Sequence, residues 1–315
     1  MTPGVPPRLP LLSQRLVVVT GKGGVGKTTV TAALAHAAAA SGRRVLAVEV
    51  GRGSLGSLLG GLRLGAEPTR VRAGLAAASL EPEALLGDFV AGVLRFRVLA
   101  RRLLESTSFQ VLAAAAPGLG EFLVLHRLLG WVEARRGRRP VHDLVIVDAP
   151  ASGHSLPLLA APHTLGALAR LGPVAELLAR LQRLIADPGA TLVCVVTTPE
   201  ELAVRETVEL HRELGERLGL AVAPPIVNAL PPRRFTARDA AALDRLEAAS
   251  GPHPYLHAAR FQLERRRQAD AQLTALRRAL GAAPVRLPFL FGAPDAPAGV
   301  AALAAELARA AGLAA

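Results

Sequence analysis

Residues 16–29 read Leu16-Val17-Val18-Val19-Thr20-Gly21-Lys22-Gly23-Gly24-Val25-Gly26-Lys27-Thr28-Thr29. The opening β-branched run, bounded by glycine, has the composition of a strand buried on both faces. The alanine-rich stretch Thr28–Ala40 behind it reads as a helix. Between the two, closely spaced glycines let the backbone curl until its N–H groups converge. The helix aims its positive end at the same point. Strand, glycine-rich turn and helix in this order build a cradle for an anion.

Gly21-x-x-x-x-Gly26-Lys27-Thr28 matches the Walker A pattern, in the strand-loop-helix setting that the pattern requires. It assigns the phosphates of ATP to the loop Gly21, Lys22, Gly23, Gly24, Val25, Gly26, Lys27, Thr28 and Thr29. Lys27 is expected to bridge the outer phosphates and the Thr28 hydroxyl to ligate Mg²⁺. Residue usage singles out the same loop independently. Of 37 lysines and arginines, only Lys22 and Lys27 are lysine. A chain that uses arginine for every other cation keeps a compact ammonium on a flexible stem at two places, both in this loop.

The 315 residues are 51% hydrophobic but only 3% aromatic, so a sizeable core must be built from Leu, Val and Ala. The net charge of +12 is compatible with an acidic partner, nucleic acid included. The arginines are scattered, however, and few aromatics lie among them to stack on bases, which disfavours nucleic acid. Cys194 is the single cysteine, which excludes an internal disulfide and any Cys-only metal site. The proline-rich residues 1–14 lack a signal-peptide core and are expected to form a flexible N-terminus. No stretch reaches the roughly 20 apolar residues of a transmembrane helix. These features predict a soluble, cytoplasmic protein.

Short apolar runs at Leu16–Thr20, Arg44–Val50, Leu144–Asp148, Leu192–Thr197, Pro225–Asn228 and Val285–Phe289 read as parallel strands. Helical stretches alternate with them: Thr28–Ala40, Leu165–Ile185, Glu200–Leu218, Ala237–Ala249, Ala258–Leu280 and Ala296–Ala311. The expected fold is α/β, a doubly wound and mostly parallel sheet. Residues 15–315 would form one domain, with a helical insert at about 81–139, where the pattern is helical throughout. Asp148 ends its strand in the Walker B position, where a carboxylate holds Mg²⁺ through water.

Lys22 sharpens the class. GKGGVGKTT resembles the deviant Walker A motif of dimerising ATPases of the partition, septum-placement, nitrogenase-reductase and arsenite-pump type. The resemblance implies that Lys22 reaches across a dimer to the partner's phosphates and stabilises charge in phosphoryl transfer. Asp148-Ala149-Pro150-Ala151-Ser152-Gly153-His154 resembles the second switch of the arsenite-pump and tail-anchored-protein-targeting ATPases. For His154, a structural hydrogen bond and a catalytic part remain equal readings. Pro117-Gly118-Leu119-Gly120-Glu121 is similar to a segment of that family's helical insert. Thr197-Thr198-Pro199-Glu200, with Glu206-Thr207 and Ile226-Val227-Asn228, is similar to its distal strand, helix and next strand. There the resemblance implies that Glu200 and Asn228 contact the nucleoside and that Pro288 and Phe289 pack on the adenine. For Glu200, an acid placed for the helix dipole is nearly as good a reading.

Two departures qualify this. Gly51 stands where the family carries a first-switch aspartate that positions the attacking water. Glu49 keeps an acid near the metal, as a water or metal-shell ligand or merely as a strand-end carboxylate. Hydrolysis would then be slow, or nucleotide would be bound without efficient turnover. In addition, Cys194 alone cannot supply the thiolates that arsenite or an interfacial zinc requires. Three functions follow: a dimeric Mg²⁺-ATP switch that holds or releases a protein partner; a regulatory nucleotide-binding subunit paired with an active paralogue; and a partition-type, DNA-binding ATPase. The first admits either a homodimer or a heterodimer.

Overall fold

A computed structural model describes residues 13–93, 118–166, 171–251, 253–292 and 297–311. Its centre is an eight-stranded sheet. The strands are β1 (Leu16–Gly21), β2 (Val45–Val50), β3 (Thr69–Arg72), β4 (Leu75–Leu80), β7 (Leu144–Asp148), β8 (Thr191–Thr197), β9 (Ile226–Leu230) and β10 (Val285–Pro288). The two-residue strands β5 (Arg135–Arg136) and β6 (Arg139–Pro140) pair separately. The sheet order is β10-β9-β8-β1-β7-β2-β4-β3, parallel except for the β3–β4 edge. β1 therefore lies between β7 and β8, at the point where the winding reverses, and ligands of open α/β sheets bind outside the carboxyl ends of strands at such a point.

The helices are α1 (Lys27–Ala40), α2 (Leu55–Leu58), α3 (Pro82–Val93), α4 (Leu119–Glu133), α5 (Ser152–Gly166), α6 (Pro173–Ala186), α7 (Glu201–Arg212), α8 (Ala237–Ser250), α9 (Pro254–Leu280) and α10 (Pro297–Ala311). The two-residue period of β1 sends its side chains alternately into two cores. Val17 and Val19 join the α1 and α10 side, with Leu34, Leu303 and Leu307. Leu16 and Val18 face α4, α5 and α6, with Leu128, Leu158 and Leu181. Leu34, Leu181 and Leu307 are fully buried, each contributing about 1.5–3 kcal/mol through burial.

Several expectations need correction. β4 was not foreseen: Leu75-Ala76-Ala77-Ala78-Ser79-Leu80 has no β-branched residue, and its strand form comes from pairing with β2 across its whole length. β3 was likewise missed, being a short antiparallel edge. The stretch Leu165–Ile185 is divided between α5 and α6, with Pro173 opening α6 after Gly172. The helix expected over Glu200–Leu218 is α7 followed by a π-helical turn, Glu213–Arg217.

Within 81–139, helix is found at α3 and α4, while residues 94–117 lie outside the described residues. The helical reading fails at Arg135–Pro140, which forms the β5–β6 hairpin. α4 is no peripheral addition, since Phe122, Leu128 and Trp131 are buried in the second core. Residues 1–12 are also outside the described set. Gln14, assigned to the flexible segment, is buried, and its side-chain amide donates to the Pro188 carbonyl at 3.3 Å.

Candidate functional site

The phosphate loop leaves the sheet at Gly21, which pairs with Val196 of β8, and re-enters regular structure at Lys27, the first residue of α1. The loop is tied down from three directions. Lys27 Nζ donates to the Lys22 carbonyl at 3.1 Å. Asn228 Nδ2, from β9, donates to the Val25 carbonyl at 3.0 Å. Lys22 Nζ pairs with Glu206 Oε1, on α7, at 2.8 Å.

Below the loop lies Asp148, only 6% exposed. Thr28 Oγ1 donates to its Oδ2 at 2.6 Å. Thr31 Oγ1 makes a longer contact, 3.5 Å, to Oδ1. Thr31 was not singled out from sequence, although it lies three residues after Thr28 and so on the same helix face. Burial pushes the Asp148 carboxyl up to about 6, against the opposing pull of Thr28 and the Lys27 ammonium. Glu49 adds to the rise; it is the residue in register with Asp148 across β2 and β7. Burial also lowers the Lys27 pKa, and Asp148 partly restores it.

A hydroxyl beside a buried carboxylate, with a second acid on the neighbouring strand, is an oxygen donor set suited to Mg²⁺. Among the described residues no group of three or more His, Cys, Asp or Glu assembles into a metal site. An ion here would therefore draw most of its oxygens from phosphate and water, as Mg²⁺ does. Soft-metal chemistry has no support, because the Cys194 thiol is buried and pushed up to about 12.

The segment that follows β2 is held by contacts of its own. Glu49 is buried, and its Oε1 accepts the N–H of Leu55 at 2.9 Å, so this carboxylate secures the start of α2. Gly51 has φ +87°. Its N–H donates to the Leu80 carbonyl at 2.8 Å, and its carbonyl accepts from Ser79 Oγ at 3.0 Å. An L-residue is strained at this φ. The side chains of Ser152–Ser155, His154 among them, lie outside the described residues.

Beside the loop, Asn228, Pro288 and Phe289 are brought together with Val25 and Thr29 around a cavity of about 190 Å³. Glu200 is not in that group. It lines an adjoining cavity of about 430 Å³ with Arg265, sharing Thr198 and Ala229 with the first. Glu200 is the residue preceding α7, and its side chain makes no capping hydrogen bond. Two cations stack where sequence gave no signal: Arg265 over Phe289 at 5.7 Å and Arg234 over Phe291 at 4.9 Å.

Comparison with known proteins bears on the family. The model of the anion-transporting ATPase family matches residues 14–178. The ATPase BagA of Mycobacterium tuberculosis is 31% identical over 234 residues, covering 72% of this chain and 68% of the relative. An uncharacterized protein of Streptomyces coelicolor is 34% identical over 207 residues, 62% of this chain and 50% of that one. The arsenical pump-driving ATPase of Acidiphilium multivorum is 27% identical over 241 residues, 71% of this chain and 40% of its own. Family match, sheet order and phosphate loop converge, and the chain belongs to the anion-transporting ATPase family.

Proposed function

We propose that the chain is a Mg²⁺-ATP-dependent switch that works as a dimer, of itself or with a paralogue, and couples nucleotide state to a protein partner. The observation that carries the reading is the 2.6 Å contact of Thr28 with the buried Asp148 directly under the loop. Loop N–H groups and the start of α1 would hold the phosphates. Lys27 would leave the Lys22 carbonyl for the outer phosphates, and Thr28 and Asp148 would hold Mg²⁺. The ion would neutralise charge on the phosphate oxygens. Asn228, Pro288 and Phe289 would enclose the base, with Glu200 beside them. Lys22 from the opposing subunit would supply the remaining positive charge. An arsenical cargo is disfavoured by the lone buried Cys194. No helix among the described residues is long and apolar enough to cross a membrane.

Lys22→Ala is expected to leave ATP binding within about twofold and to lower turnover about a hundredfold, the scale of removing one transition-state donor. Equilibrium binding of a fluorescent ATP analogue and steady-state phosphate release measure the two. Normal turnover in a dimeric mutant sinks the role of Lys22 across the interface.

One observation favours a second reading, a regulatory subunit with weak or no hydrolysis. Gly51 offers no side chain, and the acid two residues earlier, Glu49, is engaged by Leu55. Gly51→Asp tests it. No atom stands within 4 Å of a Cβ at this position, so the obstacle is φ alone. The variant should lose about 1 kcal/mol of stability, and Gly51→Asn serves as the control for that strain. A silent wild type rescued by Asp and not by Asn establishes the regulatory reading. An active wild type removes it.

A further inference from the structure

Lys22 and Lys27 are the two lysines of the sequence, yet they differ in what holds them. Lys27 folds back onto its own loop, on the Lys22 carbonyl. The Lys22 ammonium leaves the loop and pairs with Glu206 Oε1 at 2.8 Å, with the side chains 36% and 37% exposed. The sheet brings them together: β1 and β8 run parallel and in register to Gly21 and Val196. The loop leaving β1 and the helix that follows β8 therefore emerge side by side.

Among the described residues, every other ion pair is made by an arginine. If pairing with Glu206 were the whole task of residue 22, arginine would serve better, since its planar fork binds a carboxylate through two parallel bonds. A lysine there makes a single-point contact that can be let go, on a stem that can swing. An Nζ seated 2.8 Å from Glu206 in its own subunit has one of its three donors and part of its charge engaged there.

We infer that Glu206 is a positioning residue that parks Lys22 within its own subunit whenever no phosphate of a partner competes for it. Assembly around ATP must break this pair before Lys22 can serve a partner. The inference rests on the reading of Lys22 as a lysine that acts across the interface. It adds a threshold to that reading: Glu206 sets how much nucleotide is needed to draw two subunits together. A pair this exposed is weak, so the threshold is small and the device reversible.

The test uses the full chain as wild type, Glu206→Gln, Glu206→Asp, Lys22→Ala and the Lys22→Ala/Glu206→Gln double variant. With two lysines in the sequence, acylation of Lys22 can be followed directly by peptide mass spectrometry, with Lys27 as internal reference. Sedimentation with Mg²⁺ and a non-hydrolysable ATP analogue gives the nucleotide concentration for half-maximal dimer. Without nucleotide, Lys22 should acylate faster in Glu206→Gln than in wild type. The half-maximal concentration and KM should fall about two- to fivefold, as expected for loss of an exposed pair, with kcat unchanged. Glu206→Asp should lie nearer wild type, and the shift should vanish in the Lys22→Ala background.

Equal Lys22 labelling in wild type and Glu206→Gln overturns the pair itself, while leaving the role of Lys22 across the interface intact. Faster labelling with no change in half-maximal nucleotide, or a fall in kcat instead, overturns the threshold. Dimerisation and turnover of Lys22→Ala equal to wild type remove both the parent reading and the threshold, and the labelling still reports separately whether the pair exists.

Discussion

Replacing Asp148 by asparagine should nearly abolish hydrolysis and, in the absence of ligand, raise the melting temperature at pH 8. The two effects have one cause. Asp148 is 6% exposed and sits at the end of β7, where burial lifts its carboxyl to about 6 from an ordinary 3.8. A carboxyl whose folded pKa lies above its unfolded value favours folding in its protonated form. That contribution is complete below about pH 4 and is lost as pH rises to about 6, beyond which it stays lost. At pH 8 the ionised group therefore costs the ligand-free chain about 3 kcal/mol, at 1.36 kcal/mol per pKa unit. Asparagine keeps the shape and carries no charge to desolvate. Thermal melts in EDTA should show the mutant several degrees above wild type at pH 8, with the gap closing toward pH 4. Under the proposed function, turnover with Mg²⁺-ATP should fall at least a hundredfold, because several kcal/mol of charge stabilisation would go with a lost ligand of the ion. A mutant that melts below wild type at pH 8 would mean that the Thr28 and Thr31 contacts outweigh desolvation, and the destabilised carboxylate would be gone as the mark of the metal site.

The parts of this site that were legible in the sequence are those whose signal is local. Leu16–Thr20 and Thr28–Ala40 fall within one residue of β1 and α1, because a buried run, four glycines and an alanine-rich helix each announce themselves over a few positions. Asp148 was legible because an acid ends an otherwise apolar strand. What escaped was set by tertiary contact. Leu75–Leu80 is a strand because β2 lies beside it, and nothing in Ala76-Ala77-Ala78 announces that. The partner of Lys22 is 184 residues away, and Glu206 carries no pattern that says which face of α7 meets the loop. At Gly51 the lack of a side chain could be read, but not that the backbone is held at φ +87° by Ser79 and Leu80. Sequence thus located the cradle and the acid beneath it. The restraints on its two lysines required the sheet order.

Gly21→Ala should unfold the site outright, whereas Gly23→Ala, two residues on, should leave the fold alone and weaken nucleotide binding. Both glycines belong to the same motif, but they are glycine for different reasons. Gly21 is the last residue of β1 and has φ +146°. A Cβ built there would stand 2.1 Å from the Val196 carbonyl oxygen and 3.2 Å from its carbon. Those atoms are backbone of β8, itself buried along its length, so no side-chain rotation relieves the clash. β1 must separate from β8 at the centre of the sheet. The expected loss is about 3 kcal/mol or more, the upper range for overpacking a rigid core. It should be seen as a lower urea midpoint and a large fall in melting temperature, without any ligand present. At Gly23 a Cβ meets nothing within 4 Å, so stability should stay within about 0.5 kcal/mol. Its cost should appear only when phosphate approaches the backbone, as a rise in the dissociation constant for ATP with the melting curve unchanged. A Gly21→Ala protein that melts with wild type would refute the tight β1–β8 exit from which both the loop and the reach of Lys22 to Glu206 follow.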